Sequence, residues 1–436
     1  MSNIFIIIFI FIFFTNCSFN KNSKFWTNEK IKKEALINDK NKEEIFKKKN
    51  VLNLEFNPNL KIGLYGKPLR KVKYTDYSNN NGRILFDGLL QNITKFKFSK
   101  IENFLHYNPE VIFEKENIIF FDNTGSIFKF DKNSNLIWKK NYYNKTEKKL
   151  KPFLFFGHNN QKLIIADNIS KIYALDIMTG DLLWTKNNIA PVNSQVKVYK
   201  DKFFVIDFEN TMRSFLVNDG TEVWDYETQK SLIRSQQNLS LVIYKNNVIF
   251  INSLGDITSV NIDTGELEWQ TPTRSTVILE DDFYLKNSDI VLNENSLYFS
   301  NNKNQFFSIN VDSGLINWEQ SINSITRPTL VDDYIFTVSQ EGYLIIVEKK
   351  SGNIIRITDI FSNFKIKKRK DIHPVGFVVG TNYIYLTTSN GRLLKIEIAT
   401  GKTILQIKID KDKVARPSIL NENLFLIKEN SIIRLN

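Results

Sequence analysis

The chain has one cysteine, three histidines and 17 glycines in 436 residues, and each scarcity closes off a class of chemistry. A lone cysteine, Cys17, cannot form a disulfide within the chain. The histidines, His106, His158 and His373, stand far apart, and none is spaced with a second histidine or cysteine as a metal pair would be. His373 precedes Pro374 and reads as structural. Most glycines fall in turns, and there is no phosphate-cradling loop, dinucleotide fingerprint or G-x-S-x-G elbow. The acid pairs Asp281-Asp282 and Asp332-Asp333 are candidate calcium ligands, yet Asp332-Asp333-Tyr334 reads as a hairpin turn. No nucleophile, base and oxyanion donor come together, so nothing argues for an enzyme, a metal site or a bound cofactor.

What is present begins with an unbroken apolar run, Ile4 to Phe14, ending at Thr15-Asn16-Cys17. Eleven residues are too few to span a bilayer and suit the apolar region of a secretory signal, placed at residues 1–16. Cys17 at the end of that run reads as a lipidation site that becomes the mature N-terminus. The alternatives are a plain signal with an incidental cysteine, or a short uncleaved anchor. Residues 17–92 are rich in Lys and Asn, have scattered apolar residues, and read as a tether. The formal charge of +12 does not point to nucleic acid, because lysines are spread along the chain and a secretory signal takes the protein away from the genome. Attraction to anionic lipid head groups near the tether fits the charge better.

From residue 93 to 436 one pattern returns. A short strand, ending in a polar residue in every copy but the third, recurs as Gly125 to Asp131, Ser170 to Asp176, Asn210 to Leu216, Gly255 to Asn261, Asn304 to Asn310, Gly342 to Glu348, Gly391 to Glu397 and Asn430 to Asn436. The starts lie 45, 40, 45, 49, 38, 49 and 39 residues apart, the spacing of stacked four-stranded units. A glycine turn follows, and four residues past the glycine stands Trp184, Trp224, Trp269 or Trp318. Trp138 arrives one residue early in the first copy, with Asn135 in the glycine's place, and Arg356 and Leu405 replace Trp in the last two complete copies. The eighth copy lacks a following strand, which would leave an edge exposed. The segment Thr94 to Ile101, alternating Phe96 and Phe98 with lysines, is the expected donor. The fold class is therefore all-β: an eight-bladed propeller of four-stranded blades, closed by N- and C-terminal strands.

The segments A-L-D-I-M-T-G-D-L-L-W (Ala174 to Trp184), S-V-N-I-D-T-G-E-L-E-W (Ser259 to Trp269) and S-I-N-V-D-S-G-L-I-N-W (Ser308 to Trp318) resemble the repeat of the pyrroloquinoline-quinone (PQQ) type propellers. In that family the Trp packs between neighbouring blades. One branch, the quinoprotein dehydrogenases, is longer, and many members use a vicinal disulfide, calcium and a catalytic Asp. The other is the non-catalytic lipoprotein of the outer-membrane β-barrel assembly machinery, the BamB type, which signal, tether and eight repeats resemble across the mature chain.

That resemblance implies a lipid-anchored scaffold at the periplasmic face of the outer membrane. Its partners would be the periplasmic repeat domains of the central barrel subunit and unfolded outer-membrane protein precursors. The family's partner-binding loop matches Leu232, Ile233 and Arg234, and the next inter-blade loop would add Asp281 and Asp282. The alternatives are a PQQ-type dehydrogenase, or an envelope scaffold for another partner.

Overall fold

The computed structural model describes residues 54–70, 77–102, 104–106, 108–159, 161–230, 238–273 and 285–436. Cys17, Leu232, Ile233, Arg234, Asp281 and Asp282 lie outside the described residues. Eight four-stranded antiparallel sheets form the described body. Blades one to seven span 112–140, 154–187, 197–227, 241–271, 291–320, 329–359 and 374–408. Each runs from an inner strand, bordering the central channel, to an outer strand on the rim.

Blade eight takes its inner three strands from 418–435 and its outer strand from Asn92–Lys97. Thr94 faces Arg434 and Phe96 faces Ile432, so the ring closes as the unpaired eighth repeat requires. The pairing strand is slightly earlier than Thr94 to Ile101, whose later residues continue along blade eight through Phe98 N–H to Asn430 O at 3.2 Å.

Burial explains why the middle strands are apolar throughout. Ile172, Tyr173, Ala174 and Leu175 are all buried, although the sequence suggests alternating faces there. Each middle strand is covered on both faces by neighbouring blades, so an apolar side chain removes surface from water whichever way it points. Outer strands such as Leu182–Asn187 remain largely exposed.

A recurrent turn also shapes the blades. Asp167 Oδ1 accepts the N–H groups of Ile169 and Lys171 at 2.9 and 2.8 Å, and Asp122, Asp207 and Asn252 do the same at equivalent places. These side chains replace backbone partners at the turn between the second and third strands.

Residues 54–70 and 77–91, within the range read as a tether, pack against the propeller. Ile62, Ile84, Phe86 and Leu90 are buried in its hydrophobic clusters. Residues 77–91 pass along the inner strands of successive blades. Ile243 N–H of blade four donates to Tyr77 O (2.9 Å), and Leu292 N–H of blade five to Ser78 O (2.8 Å). Leu330 N–H of blade six donates to Asn80 Oδ1 (3.1 Å), and Ile84 N–H donates to Val379 O of blade seven (2.9 Å). Inner strands carry unpaired groups toward the channel, and this strap satisfies some of them.

Candidate functional site

Between blades the repeat tryptophans lie at one register. Trp184, Trp224, Trp269 and Trp318 face Ala174, Ser214, Ser259 and Ser308 across the third strand, next to a bulge in each outer strand. Small partners leave room for the indole to lean onto the next blade. There it covers that blade's turn glycine: a Cβ on Gly220, at φ 71°, would stand 2.6 Å from the Trp184 ring. The indole Nε1 donates to the carbonyl three residues before that glycine: Val217 (3.0 Å), Ile262 (3.1 Å), Val311 (3.0 Å) and Lys349 (3.2 Å).

Trp138 takes the same ladder position, opposite Lys129, and covers Gly180. Here Lys129 Nζ, itself buried and paired with Glu114 at 3.0 Å, reaches the Ile177 carbonyl at 2.9 Å, and Trp138 Nε1 has no partner among the described residues. Arg356 fills the Trp place in blade six and donates to the carbonyls of Ile398 (2.9 Å), Ala399 and, from the N-terminal segment, Leu60 (2.9 Å). Burial pushes this guanidinium down to about 10, leaving it charged at neutral pH. Five tryptophans and one arginine thus serve as joints between blades, which the family resemblance implies for the tryptophans.

The strap lies along blades four to seven, and the cavity of about 320 Å³ beside it is lined chiefly by the inner strands of blades one, two, three and eight. Asn79, fully buried, reaches from the strap to Leu241 O (3.2 Å), Ile290 O (2.9 Å) and Ser240 Oγ (3.1 Å), and accepts from Lys197 Nζ at 2.6 Å. Arg327 joins Glu110 at 2.6 Å and Asp289 by a short contact, and Arg416 stands 3.8 Å from Glu110. Burial alone would raise the Glu110 carboxyl, but the Arg327, Arg416 and Lys197 charges outweigh it and hold the group below its usual range. His106 and His158 both line this cavity, which their sequence spacing does not suggest.

A divalent cation needs several free oxygen ligands. Both channel carboxylates face Arg327, and no group of three or more His, Cys, Asp or Glu suited to a metal occurs among the described residues. Asp332 and Asp333 sit at the hairpin turn as expected, and they accept from Tyr65 N–H (2.8 Å) and Tyr65 O–H (3.0 Å). His373 is exposed where blade seven begins, its N–H donating to Ser389 Oγ at 2.9 Å.

The residues expected to form the partner interface fall in two connections that start inner strands. Leu232, Ile233 and Arg234 lie between blades three and four, and Asp281 and Asp282 between blades four and five. In chain order these connections are equivalent to those that supply Glu110, Arg327 and Arg416 to the channel.

The profile of the family described as outer membrane protein assembly factor BamB matches residues 123–358, more than half of the chain. No curated protein matches the sequence. Among solved structures, BamB from Moraxella catarrhalis is similar with a TM-score of 0.65 at 16% identity, covering 80% of this chain and 100% of that one. A europium-containing methanol dehydrogenase has a TM-score of 0.61 at 11% identity over 82% of this chain and 89% of its own. The computationally designed Ika8 protein has a TM-score of 0.59 at 10% identity, covering 78% and 99%. At these identities the structural likenesses establish the fold.

Proposed function

This chain belongs to the family of the outer membrane protein assembly factor BamB, and from that premise we propose that it is a non-catalytic scaffold of the outer-membrane β-barrel assembly machinery. The observation that carries the reading is the family match across 123–358 on an eight-bladed ring whose blades are locked by repeat joints. A ring of this kind is preformed, so its loops bind a partner at little cost in ordering. Leu232, Ile233 and Arg234, with Asp281 and Asp282, dock on the periplasmic repeat domains of the central barrel subunit. An arginine among apolar neighbours has the composition of an interface anchor. Exposed outer strands, such as Leu182–Asn187, offer edges to unfolded outer-membrane precursors. Lipidation at Cys17 holds the protein at the periplasmic face of the outer membrane and raises its local concentration there.

The test is affinity purification of the tagged protein from detergent-solubilised envelope, with and without Arg234→Glu. The native chain is expected to recover a large outer-membrane barrel protein with periplasmic repeats, and the variant to lose it while keeping its melting temperature. Retention by the variant would remove Arg234 from the interface. Recovery of a quinone cofactor in place of the barrel protein would favour the dehydrogenase reading, which shares the fold.

A further inference from the structure

We propose that the connection between blades six and seven, at the corner where the described chain enters the propeller, is a docking surface for an anionic lipid bilayer. This connection holds a single helical turn, Ile366–Arg369, within K-I-K-K-R-K. Lys365, Lys367, Lys368 and Lys370 are exposed, and among the described residues none pairs with a carboxylate. Asp371 is the one acid close behind them in sequence. Ile366 is 86% exposed between these lysines, an unfavourable place for an aliphatic side chain in water.

Arg369 gives the turn its position. It donates to Asp359 Oδ1 at 2.6 Å, at the end of blade six's outer strand, and Asp359 N–H donates to Glu55 Oε1 at 3.0 Å. The basic turn is therefore tied to the first described residues, where Leu54 is a second exposed aliphatic side chain at 77%. Upstream of this corner lie the residues that carry Cys17 and the apolar run.

An exposed aliphatic side chain flanked in sequence by exposed lysines matches the layered chemistry of a bilayer surface, with phosphates outside and hydrocarbon beneath. A nucleic acid would use the lysines and leave Ile366 in water. Each lysine held near an anionic surface contributes about a fivefold gain in partition. The inference rests on the envelope location proposed above but not on the barrel partner.

The experiment is vesicle flotation with the full chain carrying Cys17→Ser, so that no lipid is attached. Vesicles of phosphatidylethanolamine with phosphatidylglycerol are compared with vesicles of phosphatidylcholine. The apolar run acts on both, so the ratio of the two partition coefficients is the readout. The expected ratio is at least about tenfold at about 0.1 M salt and falls as salt rises. Lys367→Glu, Lys368→Glu and Lys370→Glu together should lower the ratio several-fold, to the level that the lysines of residues 17–92 supply by themselves. Ile366→Ser should lower anionic-vesicle binding by about tenfold while leaving its salt dependence in place.

These side chains are exposed, and an unchanged melting temperature checks that each variant folds. A native ratio near one, or a ratio kept by the triple variant, overturns the proposal. So does full competition by a DNA duplex together with no effect of Ile366→Ser, which would mark a general polyanion site. Copurification of the barrel protein is measured separately with Arg234→Glu, so a failure there is distinguishable from a failure here.

Discussion

The Trp184 indole lies over Gly220 of the following blade and donates to Val217 O at 3.0 Å, so one side chain fastens the packing and the hydrogen bonding of two blades at once. The same pairing recurs from Trp224 to Gly265, Trp269 to Gly314 and Trp318 to Gly352. The glycine is required twice over, by its positive φ and by the ring that occupies the space of a Cβ.

Gly220→Ala should therefore destabilise the propeller by about 2–4 kcal/mol, combining the left-handed backbone penalty with overpacking against Trp184. Urea unfolding monitored by tryptophan fluorescence measures it. A change under about 0.5 kcal/mol would mean that the joint yields freely.

Arg356 joins blade six to blade seven and also holds Leu60 of the N-terminal segment. Arg356→Met removes a buried charge that no acid among the described residues offsets, and it leaves the carbonyls of Leu60, Ile398 and Ala399 without this donor. These effects oppose each other, so global stability should change by only about 1–2 kcal/mol. The segment 54–62 should instead become the first site of limited proteolysis, several-fold faster than in the native chain. Equal cleavage rates would show that Arg356 does not hold it.

Lys413 Nζ donates to Leu105 O at 3.2 Å, and burial, with a smaller contribution from Lys286, pushes its amine down to about 8. The unfolded lysine titrates near about 10.4, so between these values the unfolded chain binds more protons. Stability should accordingly rise with pH from about 8 to about 10.4 relative to Lys413→Met, which lacks the titrating group. Denaturation midpoints of both proteins across that range provide the check. Parallel curves would refute the assignment.

The blades were legible in the sequence because most of them repeat the same local demands: a polar residue at the seventh place, a turn glycine and, in four of them, an indole four residues past that glycine. The tryptophan register even identified where Arg356 stands in for Trp, since the ladder places it opposite Ile346 as Trp184 stands opposite Ala174. The strap had no such signature. Asn79, Ile84 and Phe86 bury themselves against residues far away in the chain, and pairing with inner strands imposes no periodicity that a short segment could display. The channel network was equally hidden, because Glu110, Asp289 and Arg327 are single charges from separate connections. Their association follows from ring geometry, which sets equivalent loops around one axis.

Ring closure has a consequence for the newly made chain. Asn92–Lys97 is synthesised before any complete blade, yet its partner Ser431–Leu435 comes last. Through all the intervening synthesis this strand waits with a free edge and with Phe96 uncovered, the condition that invites mispairing between chains. Its alternation of Phe96 and Phe98 with Lys95, Lys97 and Lys100 places a charge beside every aromatic. Lysines interleaved with aromatics are the composition that resists such mispairing, and Lys95 and Lys97 remain exposed on the rim once Phe96 is buried.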